Sequence, residues 1–92
     1  MLDTITLYSG TASGAQASLF LPTIITKKTV NTGHVQVVGA GTVTIEGSAN
    51  GTNFIPIVSG VTSTNGFHIA MLPYMRANIT AASGTTTAFL VI

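Results

Sequence analysis

Gly41-Thr42-Val43-Thr44-Ile45-Glu46-Gly47-Ser48-Ala49-Asn50-Gly51-Thr52-Asn53-Phe54 is the stretch on which the reading of this chain turns. From 42 to 48 the side chains alternate, with Val43 and Ile45 to one side and Thr42, Thr44 and Glu46 to the other. A period of two means a strand with one face in a core and the other toward solvent. Ala49-Asn50-Gly51 follows as a hairpin signal, because Asn-Gly supplies the positive φ angles of a type I′ turn. Residues 53–57 supply the returning strand.

The same pattern continues in both directions. Thr is the commonest residue and Val and Ile are frequent, all three favouring strands through β-branching. No window shows a convincing helical period. Residues 2–8 predict a strand with Ile5 and Leu7 on one face and Thr4, Thr6 and Tyr8 on the other. Residues 9–17 are small and Gly-bearing and read as a loop. Residues 18–26 are apolar but contain Pro22, which places them at a sheet edge or at a bulge. Residues 33–38 form a strand before the Gly39-Ala40-Gly41 turn, and Asn65-Gly66 marks a second tight turn before a strand over 67–72. Residues 74–80 alternate Met75, Ala77 and Ile79 against Tyr74, Arg76 and Asn78, and a last strand covers 85–92. About eight short strands at this spacing predict an all-β fold, a single small antiparallel β-sandwich of jelly-roll type over residues 1–92. Residues 1–17 are expected to serve as an arm and loop in subunit contacts. The closing run Phe89-Leu90-Val91-Ile92 predicts burial on both faces, either as a central strand of one subunit or under a neighbouring one.

Composition points to association. Only 5% of the chain is charged, against about 25% in an ordinary soluble domain. Asp3, Lys27, Lys28, Glu46 and Arg76 carry all of it. A surface built from Thr, Ser, Asn and Gly is buried against another protein at little desolvation cost. A single domain of this size has a marginal core. With Cys 0 it has no disulfide and no thiolate chemistry, and it shows no ligand cluster for a metal, so association is the remaining source of stability. A net charge of +1 is too small for nucleic-acid binding, which requires several phosphates to be neutralised. Lys27-Lys28 reads as a solvated loop or an edge-strand gatekeeper. The apolar stretches are too short and broken for a membrane-spanning helix, and the opening Met-Leu-Asp-Thr-Ile-Thr has no basic region before an apolar one, so no signal peptide is expected.

No catalytic set assembles. Asp3 and Glu46 are the only carboxylates, so acid–base work would need the fold to bring those two together. His34 and His68 lack further ligands and read as sheet or interface residues. Asn50-Gly51-Thr52 and Asn78-Ile79-Thr80 match the glycosylation triplet, a match without consequence where no secretory signal precedes it. Thr42-Val43-Thr44 and Thr85-Thr86-Thr87 raise the alternative of a flat Thr face for ice or sugar. The lone Arg76 requires a partner, either Glu46 or a carboxylate of another protein. No cofactor, metal or catalytic residue is expected. The residues expected at subunit contacts are Leu2, Ile5, Leu7, Tyr8, Tyr74, Arg76, Phe89, Val91 and Ile92.

The stretch from Gly41 to Phe54 resembles a hairpin common in small structural proteins of tailed bacteriophages: strand, Glu-Gly-Ser, any residue, Asp or Asn, Gly, two residues, then Trp or Phe. Leu72-Pro73-Tyr74-Met75-Arg76-Ala77-Asn78-Ile79-Thr80 resembles the matching Pro-Tyr-x-Arg strand, and the Thr-rich close over 83–92 resembles its usual sequel. The resemblance covers the C-terminal half to two-thirds. Asn50 stands where Asp is more usual, and Phe54 where Trp is. It implies a non-enzymatic capsid decoration (cement) protein, homotrimeric, bound to the major capsid protein on the outer surface of the virion and assembled in the host cytoplasm, with no nucleic-acid or membrane partner. A tail or head-fibre-associated β-module that binds glycan through Tyr8, Tyr74, Phe54 or Phe67 is the alternative.

Overall fold

The computed structural model describes residues 3–24 and 31–92. Within them the chain forms β1 (Thr4–Gly10), β2 (Gly14–Ala15), β3 (Leu19–Phe20), a single helical turn α1 (Leu21–Ile24), β4 (Thr32–Gly39), β5 (Thr42–Ser48), β6 (Ile55–Val61), β7 (Gly66–Ala70), β8 (Tyr74–Ala81) and β9 (Thr86–Val91). One sheet, here sheet A, has the order β1-β9-β4-β7. The other, sheet B, has the order β2-β8-β5-β6, with β3 also pairing β8. Every pair is antiparallel. The result is the expected β-sandwich.

Counting β2 and β3 as one interrupted strand, the partners nest: β5 with β6, β4 with β7, β2/β3 with β8, and β1 with β9. That is one long antiparallel hairpin rolled up so that successive pairs alternate between sheets, which is a jelly roll. The tip of the roll is the 49–54 connection. Apart from the break between β2 and β3, every other link crosses from one sheet to the other. The core lies between the sheets. Leu7, Val35, Val37, Ile69, Ala88 and Leu90 come from sheet A, and Val43, Ile45, Val61, Met75, Ala77 and Ile79 from sheet B.

The tip is not a type I′ turn. Gly51 has φ 79, but no residue other than glycine has a positive φ among the described residues, and a I′ turn needs it at both central positions. Side chains close a longer loop instead. The Ser48 hydroxyl accepts the Asn50 and Gly51 N–H groups and donates to Asn50 Oδ1, which also accepts from the Thr52 and Asn53 N–H groups. Asn competes for the local backbone in this way wherever it stands in a turn. The second turn also differs from expectation. It spans residues 62–65, closed by Asn65 N–H on the Thr62 carbonyl and Thr62 N–H on Asn65 Oδ1, and Gly66 already belongs to β7.

Four further expectations need correction. Residues 18–26 are not one strand: Leu19 and Phe20 pair on the edge of sheet B, and Pro22 then enters a helical turn, where its fixed φ suits the first helical positions. The end of that segment lies outside the described residues, as do Leu2 and Lys27-Lys28. Residues 3–17 are not an arm. β1 is an integral edge strand of sheet A, and Asp3 and Ile92 exchange backbone hydrogen bonds of 2.8 and 2.9 Å. Tyr8 does not share a face with Thr4 and Thr6. A bulge between Thr6 and Tyr8 sets Tyr8 opposite Ala88, so that both Leu7 and Tyr8 pack on the core. Such an extra residue reverses the alternation beyond it. Finally, β9 is a central strand yet is not buried on both faces by this chain alone: Ala88 and Leu90 are buried, while Phe89 and Val91 on the outer face are half-buried, which leaves the alternative of cover by a neighbouring subunit standing.

Among the described residues one buried polar group is left over. The Thr86 hydroxyl is enclosed near Gly41 and has no hydrogen-bond partner. An unmade buried hydrogen bond costs stability that an apolar group of the same shape does not. Thr86→Val is therefore expected to raise the unfolding free energy by about 1 kcal/mol, read as a higher urea midpoint with an unchanged slope.

Candidate functional site

The outer face of sheet B holds the polar cluster. Antiparallel register sets Glu46 beside Arg76 and Thr44 beside Asn78. Arg76 Nε donates to Glu46 Oε1 at 2.6 Å, and Asn78 Nδ2 donates to Glu46 Oε2 at 3.2 Å. The guanidinium also lies 3.9 Å from the centre of the Phe54 ring. The tip loop places that ring, because Phe54 is the last residue before β6. The open question over Arg76 is thus answered: its partner is Glu46, within the chain. With side chains 27% and 14% exposed, this is a half-buried pair whose ring cover limits water on one side. Arg76→Ala is expected to cost about 2 kcal/mol in urea unfolding. Arg76→Lys should recover little of it, since an ammonium lacks the planar fork that serves carboxylate and ring together.

This cluster ties β5, β8 and the tip loop together. Both Glu46 oxygens accept hydrogen bonds. Asp3 stands at the start of β1 in sheet A, so the fold does not bring the two carboxylates together. Beside the cluster, Phe20 and Tyr74 are register partners whose rings stand 4.8 Å apart, tilted by 38°. Phe20 remains 40% exposed.

The outer face of sheet A has the opposite character. Register partners share a face, which gives three rows across the strands. The first is Thr4, Val91, His34 and His68; the second is Thr6, Phe89, Gln36 and Gly66; the third is Ser9, Thr87 and Val38. Ser9 and Thr87 hydroxyls hydrogen-bond at 2.9 Å, and Val38 is 50% exposed. No Asp, Glu, Lys or Arg stands in these rows. His34 and His68 lie directly opposite each other and both are exposed. Among the described residues no three His, Cys, Asp or Glu side chains gather as a metal site.

Of the residues expected at subunit contacts, Phe89 and Val91 sit on this face. Tyr74 is half-buried on the other sheet with Phe20. Leu7 does not belong with them: it is 5% exposed and part of the core, and Ile5, Tyr8 and Ile92 pack against that core. Strand alternation and the β1 bulge turn these side chains inward. Val38 went unnamed, although it falls on the outward phase of its strand, and His34 and His68, read as sheet or interface residues, stand on the same face. Their assembly into one face depends on the register between strands far apart in sequence. No family model, curated protein or solved structure matches the chain.

Proposed function

We propose that the chain is a non-enzymatic virion structural protein, a capsid decoration (cement) protein that binds the major capsid protein on the outer surface of a tailed-phage head and stabilises it. The observation that carries this reading is the outer face of sheet A, which among the described residues carries no Asp, Glu, Lys or Arg and where Phe89, Val91 and Val38 are interspersed with Thr, Ser and Gln. Docking such a face removes no ion from water, so the cost of burial is small.

Size argues for more than one contact. Four strands about 4.8 Å apart and roughly 20 Å long present on the order of 400 Å². A stable interface buries about 800 Å² on each partner. A single copy held by this face alone binds weakly. Copies joined to one another, as in the homotrimer that the phage resemblance implies, gain by engaging several sites at once. The chain then acts at the virion surface after assembly in the host cytoplasm, without nucleic acid or membrane as partner.

The test is to follow the native chain through a gradient of a lysate of its source by mass spectrometry, and to compare particles with and without it for resistance to heat and chelator. Many copies on DNA-filled particles, and weaker particles in its absence, are the expected results. Particles equally resistant without the chain would overturn the cementing role. The Phe20–Tyr74 pair, in which Phe20 is exposed and Tyr74 half-buried, favours a second reading, a tail or head-fibre module that stacks a sugar ring on these aromatics. A few copies per particle together with glycan-array hits lost in Tyr74→Ala would support it.

A further inference from the structure

The geometry points to β7 as a self-pairing edge, through which two copies of this chain join across a two-fold axis at His68. This inference is independent of the virion reading.

The argument starts from the hydrogen-bond phase of the ladder. Residues on an antiparallel pair alternate between those that exchange backbone bonds and those that do not. Met71 N–H donates to the Asn31 carbonyl at 2.9 Å, which marks Met71 and Asn31 as a bonded pair one step beyond Ala70 and Thr32. Counting back, Ile69–Gly33 and Phe67–Val35 are bonded pairs, whereas Ala70–Thr32, His68–His34 and Gly66–Gln36 are not. The far side of the sheet gives the same phase. Asp3 and Ile92 exchange both bonds, so Val91 turns its backbone away from Thr4 and toward His34. His34 then bonds to β9 and not to β7. The N–H and C=O groups of Gly66, His68 and Ala70 therefore point away from β4, to the free edge of the sheet.

Every other edge is interrupted. β1 carries its bulge. The β2/β3 edge consists of two-residue pieces and runs into Pro22. β6 contains Pro56, two register shifts and Gly60 at φ 72. These are the devices by which sheet edges avoid other strands. β7 has none of them: its register with β4 is unbroken from Gly66 to Ala70, and Gly66-Phe67-His68-Ile69-Ala70 holds no proline and no charge. Among the described residues it pairs only with β4.

The occupant is a second copy because the segment is symmetric in character about His68. Small residues lie two positions away on either side, on the outer face, and apolar ones lie one position away, on the core side. In the antiparallel register that sets His68 against His68 of the second copy, Gly66 meets Ala70 and Phe67 meets Ile69. The outward groups of Gly66, His68 and Ala70 then complete one another's hydrogen bonds. Small side chains at the seam allow close approach, and the two A sheets become one continuous sheet with a row of four imidazoles across its outer face. The contact is isologous, so it joins copies in pairs whatever forms about another axis.

The test uses the purified full chain in analytical ultracentrifugation over a concentration series, with amide hydrogen exchange at both ends of the series. A concentration-dependent dimer is expected. The amides of Gly66, His68 and Ala70 should gain protection with concentration, while those of Phe67 and Ile69 stay protected throughout. His68→Pro removes the outward N–H and breaks no bond of the β4–β7 ladder, so it should leave thermal unfolding nearly unchanged and weaken association about tenfold or more. Ala70→Lys, at an exposed seam position, should do the same through charge at the edge. A chain that stays monomeric up to about 1 mM, or a dimer whose new protection falls on β1 or β6 instead, would overturn the proposal.

Discussion

Ile45→Ala is expected to lower the unfolding free energy by about 4 kcal/mol. Ile45 is fully buried in the middle of β5, between Ala77 on β8 and Val58 on β6. Both neighbours are themselves small or β-branched and anchored in the sheet, so they cannot move in to fill the space. The loss therefore includes the cavity as well as the transfer of the deleted atoms from water. A domain of this size is stable by about 5–10 kcal/mol, and the change removes roughly 40–80% of that. In urea this reads as a lower midpoint at an unchanged slope, and on heating as a melting temperature about 20 °C lower. Ile45→Val should cost only about 1 kcal/mol. Val38→Ala, on the exposed outer face of sheet A, should change stability by less than about 0.5 kcal/mol. A small effect at Ile45 would mean that β5 does not run through the centre of the core.

Gly39→Ala is expected to cost about 3–4 kcal/mol, through two effects that can be separated. Gly39 sits where the chain leaves β4 for β5 and changes sheets, with φ 111. An L side chain is strained there. A Cβ would also collide with the Thr85 carbonyl oxygen, and that oxygen is backbone, so it cannot swing aside. Gly60 gives the control. It has φ 72, but a Cβ there meets nothing within 4 Å, so Gly60→Ala should show strain alone, about 1 kcal/mol. The difference between the two unfolding free energies measures the collision at the corner where β4 leaves sheet A. Equal values would mean that the 84–86 segment yields freely.

Much of the fold was legible from neighbouring residues. Thr42 to Ser48 alternates as written, β8 and β9 fall within a residue of expectation, and the sandwich follows from the number and spacing of the strands. The misplacements have local causes. Asn50 closes its loop with its own side chain. Pro22 starts a helical turn instead of interrupting a strand. The bulge at Leu7 and Tyr8 depends on the fit of β1 to β9, which lies at the other end of the chain.

By itself the sequence determined the class of fold, the inward side chains of most strands and the near absence of charge, because these rest on a period of two and on composition. Tertiary structure decided the rest. It paired Arg76 with Glu46 under Phe54, buried Leu7, gathered Val38, His34, Phe89 and Val91 on one charge-free face, and turned the backbone groups of Gly66, His68 and Ala70 to a free edge. Each of these depends on register between strands distant in sequence. A shift of one residue exchanges the two faces of a strand, and no pattern within a single strand specifies which residue of another it will meet.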